Sequence, residues 1–221
     1  MRSGRRQQLG RPHHRQQVPS RVRTPGNPAL RAGVRVSGGA LIEVDPDGKR
    51  TSSGEQGAPQ SVEFTGHALA TLSVADRAWL AAAIERIVPL LGFPVTRAAI
   101  ELVHDDRMCM LHARHMGLDS TTDVLTFAQN APGEAVDVDI AICVDEAARR
   151  GQGAAQHEGS VASASAPHGT RGEILLYALH GLLHSAGHDD RDDDSYARMH
   201  AEEDRILEAA GFGRLFEGGA K

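Results

Sequence analysis

Two spacings of apolar residues alternate along the chain, one of helical period and one of strand length, and together they divide it into elements. Trp79, Leu80, Ala83, Ile84, Ile87 and Val88 fall on one face of a helix, and Ser73 followed by Asp76 resembles a capping box at its start. Pro89 ends or kinks that helix, and Gly92 and Pro94 bar its continuation. Residues 98–103 (AAIELV), 123–127 (DVLTF) and 138–144 (VDIAICV) are short and apolar, and each reads as a strand. Asp105 is expected to cap a helix reaching about His115, and another helical segment starts at Asp145 and runs to about Arg150. From Arg171 the helical period returns and holds to Ala186; beyond an acidic loop, a last helix spans about 194–210 and stops at Gly211. Helices and strands are mixed and nothing repeats. The expected fold class is α+β (α/β-like), a small mixed sheet covered by helices in a single domain.

The pattern lapses in two places. Residues 1–60 are rich in Arg, Gln, Gly, Pro and Ser and offer too little apolar surface to offset chain entropy, so they read as a disordered basic extension, with one short strand at 40–44. Such an arm either touches RNA or is dispensable. Residues 151–170 hold 12 Gly, Ala or Ser among 20 and read as a flexible insertion. The ordered body is expected to begin near Val62, which gives a domain over 61–217.

Charge sharpens this division. The net charge is −5, yet the first 42 residues carry nine arginines and no acid, which leaves −14 on the rest. An acidic body is an awkward partner for nucleic acid, whose affinity rests largely on phosphate neutralisation. Two cysteines, Cys109 and Cys143, are too few for a disulfide framework and are not spaced as metal ligands. They read as small buried hydrophobes, and no disulfide-linked partner is expected. No apolar run approaches the roughly 18 residues of a membrane span, and no apolar segment follows the basic N-terminus. Cytoplasmic residence away from membranes is the expectation.

The stretch His180-Gly-Leu-Leu-His184-Ser-Ala-Gly187-His188-Asp189-Asp190 carries the chemistry. Histidines four apart on a helix project from one face, so two imidazoles can grip one ion. Gly187 permits a sharp reversal that brings a later residue to a third coordination position. His188, Asp189, Asp190 and Asp192 all lie within reach; Asp190 stands three residues beyond the glycine, in the register of the metzincin spacing. Two imidazoles and one carboxylate leave a fourth position open, the mark of a catalytic zinc site. In the protease version of this helix a general-base Glu follows the first His; here that position is Gly181, which disfavours peptide hydrolysis. Glu173, seven residues before His180 and about 10 Å away along the axis, is a candidate to orient ligands or water. The plainer alternative for it is a helix-start carboxylate. No catalytic or substrate-binding residue is assigned beyond these.

HGLLHSAGHDD resembles the HGxLHxxGxDH signature of the YbeY family of endoribonucleases and rRNA maturation factors. Residues 122–127 (TDVLTF) resemble that family's TDVLSF segment, and residues 138–142 (VDIAI) its GDIxI strand. Arg171 and Glu173 fall where the family often has an Arg–Glu pair, and the likeness extends over about 62–216. The resemblance implies one zinc ion in a single domain that cleaves single-stranded RNA. It further implies a role in small-subunit (16S) rRNA 3′-end maturation and ribosome quality control, with rRNA and the small ribosomal subunit as partners. Two positions depart from the family: its third histidine is Asp190 here, and its arginine ahead of the TDVL segment is Met116. A non-catalytic, metal-braced ribosome-assembly factor is the competing function, and a metalloprotease the third.

Overall fold

The computed structural model describes residues 16–17, 34–37, 61–155 and 169–213. Its strands are β1 (Gln16–Gln17), β2 (Val34–Ser37), β3 (Ser61–Thr65), β4 (Val95–Val103), β5 (Val124–Ala128) and β6 (Val136–Cys143). Its helices are α1 (Val74–Ile87), α2 (Asp105–Met116), α3 (Val144–Ala155), α4 (Thr170–Ser185) and α5 (Asp193–Ala209). The strands form one mixed sheet in the order β1-β5-β6-β4-β3-β2. β3, β4 and β6 run parallel, while β5 lies antiparallel to β6 and β2 antiparallel to β3.

Alternation along the strands divides the core between the two faces. Val62, Phe64, Ala98, Ile100, Leu102, Val138, Ile140 and Ile142 share one buried cluster with Leu80, Ile84 and Ile87 of α1 and with the apolar positions of α4. Val103, Leu125, Ala141 and Cys143 point the other way and pack with Met108 and Leu111 of α2. α4 is buried along nearly its whole length, with only Thr170, Arg171 and Glu173 partly exposed. A helix enclosed on all sides holds its side chains to one rotamer each, which is what a ligand set requires.

The α+β expectation holds: a small mixed sheet, covered by helices, in a single domain. Ser73 caps α1 as expected, its hydroxyl accepting the Asp76 N–H at 3.0 Å, and Pro89 converts the helix end into a 3-10 turn. β4 begins three residues earlier than the apolar run suggested. α3 continues to Ala155, five residues into the stretch read as a flexible insertion. Residues 156–168 of that stretch lie outside the described residues. The insertion leaves the core intact because its ends meet. A Cβ on Gly151 would lie 2.5 Å from the Gly169 carbonyl carbon. Within the segment read as disordered, the backbone forms β1 and β2, two short edge strands held by main-chain pairing. The strand expected at 40–44 lies outside the described residues. Among the described residues no helix is long and apolar enough to cross a membrane.

Candidate metal centre

The C-terminal half of α4 and the turn after it bring together three side chains that the sequence singled out. A Schellman pattern closes the helix: the His188 N–H reaches the Leu183 carbonyl at 3.1 Å and the Gly187 N–H the His184 carbonyl at 3.0 Å. Gly187 takes φ 101°, in the left-handed region that favours glycine. The chain thereby doubles back and places Asp190 against the helix. One Asp190 oxygen stands 3.6 Å from His180 Nε2 and the other 3.6 Å from His184 Nε2. The two imidazoles stand edge to face, centroids 4.4 Å apart, and the three donor atoms all lie within 4.8 Å of one another.

Those separations match one ion rather than a chain of hydrogen bonds. Metal–ligand distances of about 2.0–2.1 Å at tetrahedral angles put donor atoms about 3.4 Å apart. The tautomers agree. His180 Nδ1 donates to Glu203 Oε1 at 2.7 Å, and His184 Nδ1 donates to the His188 carbonyl at 2.9 Å. Carboxylate and carbonyl oxygens only accept, so the proton sits on Nδ1 in each ring and the Nε2 lone pairs face the centre. His180, His184 and Asp190 are 1%, 3% and 5% exposed. A divalent cation fits this donor set.

The other candidates for the third ligand have separate employment. His188 contributes its carbonyl; Asp189 grips Arg191 and the Asp190 N–H; Asp192 caps α5 in a reciprocal box with Ser195. Gly181 faces the sheet. A Cβ there would lie 2.8 Å from Ile140 Cδ1 and 3.0 Å from Thr126 Oγ1, so the place where a protease carries its base has no room for one. Glu173 lies in the first turn of α4, seven residues from His180, and Arg171 beside it pairs with Asp76 and stacks on Trp79 at 4.8 Å. Arg171 ties α4 to α1. Met116 packs with Phe127 against the cluster under α2.

The carboxylate that meets the ligand set is Glu203 on α5, which the sequence reading passed over. It is fully buried on the stripe of Ser195, Met199, Ile206 and Leu207. An acid on an otherwise apolar helix face was the available signal, since buried carboxylates are kept only with partners.

A second grouping, Asp105, Cys143 and Asp145, has internal partners instead. Asp105 takes both terminal nitrogens of Arg149 at 2.8 Å, Asp145 accepts the Asp105 N–H, and the Cys143 thiol donates to Asp105 at 3.1 Å. Burial is the main cause pushing that thiol up to about 12, which leaves it a poor metal ligand. Both cysteines are free; Cys143 is buried as expected, and Cys109 only partly so. A broad groove on the α2 side of the sheet, lined by Arg97, Glu101, Asp137 and Asp139 among others, contains none of the three converging side chains.

With this geometry in place, comparison with known proteins settles the lineage. The family model described as endoribonuclease YbeY matches residues 73–211. The chain belongs to the YbeY family. It is 30% identical to endoribonuclease YbeY of a Nocardioides species over 125 residues, covering 52% of this chain and 76% of that one. Against the Thermobifida fusca YbeY the figures are 28% over 164 residues, 66% of this chain and 97% of the relative. The chloroplastic YbeY endoribonuclease of Arabidopsis thaliana is 30% identical over 131 residues, which is 57% of this chain and 20% of that much longer one. A solution structure of a Thermotoga maritima protein aligns with TM-score 0.42 and 25% identity, covering 62% of this chain and 81% of that one.

Proposed function

We propose that this YbeY-family chain is a zinc-dependent endoribonuclease that cleaves single-stranded RNA, with one zinc ion held by His180, His184 and Asp190. The observation that carries the reading is the convergence of two Nε2 atoms and a carboxylate at 3.6 Å, with both Nδ1 protons already engaged. Two nitrogens and one oxygen in near-tetrahedral spacing suit zinc, and three protein ligands leave a position for water or substrate. A bound ion supplies Lewis acidity toward a phosphate oxygen and makes water more acidic.

The chain's own residues prepare that chemistry by holding geometry. Glu203 fixes the ring plane of His180, the His188 carbonyl fixes that of His184, and the turn at Gly187 fixes Asp190. No side chain of α4 offers a general base beside the ligands: Gly181 is sealed against the sheet, and Glu173 lies about two turns away. The YbeY relatives carry the name endoribonuclease, which supports RNA cleavage as the activity. The reading extends, as part of the proposal, to 16S rRNA 3′-end maturation and ribosome quality control in the cytoplasm, with rRNA and the small ribosomal subunit as partners. His184→Ala is expected to abolish cleavage of a single-stranded RNA while the protein stays folded; undiminished cleavage would contradict the reading.

A second reading, a ribosome-assembly factor in which the metal braces helix and loop, draws on the near-complete burial of the ligands and on Met116, half-buried against the cluster under α2, standing where the family signature implies an arginine. Under it, His184→Ala lowers thermal stability of the zinc-loaded protein and the wild type shows no cleavage to lose.

A further inference from the structure

Glu203 is bound at both oxygens, and only one of them faces the metal site. Its Oε1 accepts from His180 Nδ1 at 2.7 Å, and its Oε2 accepts from His200 Nδ1 at 2.6 Å. Glu203 is fully buried, and the His200 side chain is 13% exposed. The edge of Tyr196 meets the His200 ring, with centroids 4.1 Å apart and planes at 81°, and so restrains the imidazole. Met199, Ile206 and Leu207 bury the same side of α5 and fix the helix that carries this pair.

We propose that His200 is a positioning residue for the metal site, acting through Glu203. The inference rests on the metal-site reading given above. The last torsion of a glutamate side chain is broad, so a single hydrogen bond to His180 leaves the carboxylate plane free to turn about that bond. A second donor, one helical turn away on the same face, removes that freedom and fixes the direction in which Oε1 presents its lone pairs. The orientation of His180 follows, and with it the aim of Nε2. Partners behind metal ligands commonly change metal affinity about 10–100-fold when removed, and a group one step further out should act at or below the lower end. The chain of contacts joins two imidazoles on different helices, His200 on α5 and His180 on α4, through one carboxylate.

The test is zinc affinity of the full chain, read by competition with a chromophoric chelator. The variants are His200→Phe, His200→Leu, His200→Gln, Glu203→Leu and the His200→Phe/Glu203→Leu double. The two donor-free replacements should weaken zinc binding by up to about tenfold. His200→Gln, which keeps an N–H donor, should stay within about twofold of the wild type. In the Glu203→Leu background His200→Phe should cost nothing further, because leucine bonds neither imidazole and the path to His180 is already cut. Cobalt-loaded His200→Phe should show a shifted visible spectrum, which a packing role would not produce. The proposal is overturned if donor-free variants bind zinc as the wild type does, if the two losses simply add, or if both donor-free variants fail to fold. A wild type that binds no zinc overturns the metal-site reading instead.

Discussion

Asp190 carries negative charge where the resemblance to the YbeY signature implies a neutral imidazole, and this single difference alters what a bound cation can do. An anionic ligand lowers the cation's pull on water and phosphate oxygens. Asp190→His is therefore expected to keep one zinc per chain and to raise the cleavage rate of single-stranded RNA, by up to roughly tenfold for each unit by which a bound water's pKa would fall. Initial rates at fixed zinc occupancy would measure it, and a slower variant would contradict the charge argument. At Gly181 the decisive quantity is space. Gly181→Glu would drive a Cβ to 2.8 Å from Ile140 Cδ1 and carry a charge into the core. Overpacking costs about 1–3 kcal/mol and an unpaired buried charge more. Urea unfolding should register a loss of about 3 kcal/mol or more, with no gain of peptidase activity.

The elements differ in how much of them could be read from residue order. α1 and α4 show their apolar faces and stop signals within themselves, and β4, β5 and β6 are uniform enough to stand out. β3 (SVEFT) shows only as the start of the body, because Val62 and Phe64 are its only apolar side chains and they stand between polar ones. The ligand set was legible since His180, His184, Gly187 and Asp190 lie within eleven residues of one helix and its turn. Glu203 and His200 were not, because their relation to His180 exists only once α5 docks on α4. The α2–α3 staple is also a product of tertiary packing. Arg149 is the largest influence holding the Asp105 carboxyl well below the usual carboxylate range. A carboxyl depressed in the folded state binds more protons when unfolded, so its contribution is complete above about pH 5 and shrinks as pH falls below about 4 toward the folded value. In zinc-free protein, Asp105→Asn should lower stability near neutrality and flatten its decline on the acid side. The Asp105 side chain is 41% exposed, which keeps the expected change small.

Across the whole molecule, charge and chemistry are segregated. The nine arginines of the first 42 residues contrast with a net charge of −14 over the remaining sequence, which sets the arm apart as the cationic part of the chain. A chain shortened by residues 1–42 should bind single-stranded RNA more weakly and with a flatter dependence on salt, while its zinc content stays unchanged. A plot of log affinity against log salt for both proteins reads this directly, and identical slopes would mean that the arm takes no part. None of those residues is among the three converging side chains of the metal centre. It is built from one buried helix, one reversal at Gly187 and one carboxylate behind it.

The most direct check is the zinc content of the purified full-length chain beside its Asp190→Ala variant. One equivalent per chain in the wild type, falling well below one in the variant at equal free zinc, is the predicted result. A wild type without zinc, or an equivalent that survives Asp190→Ala undiminished, would contradict it.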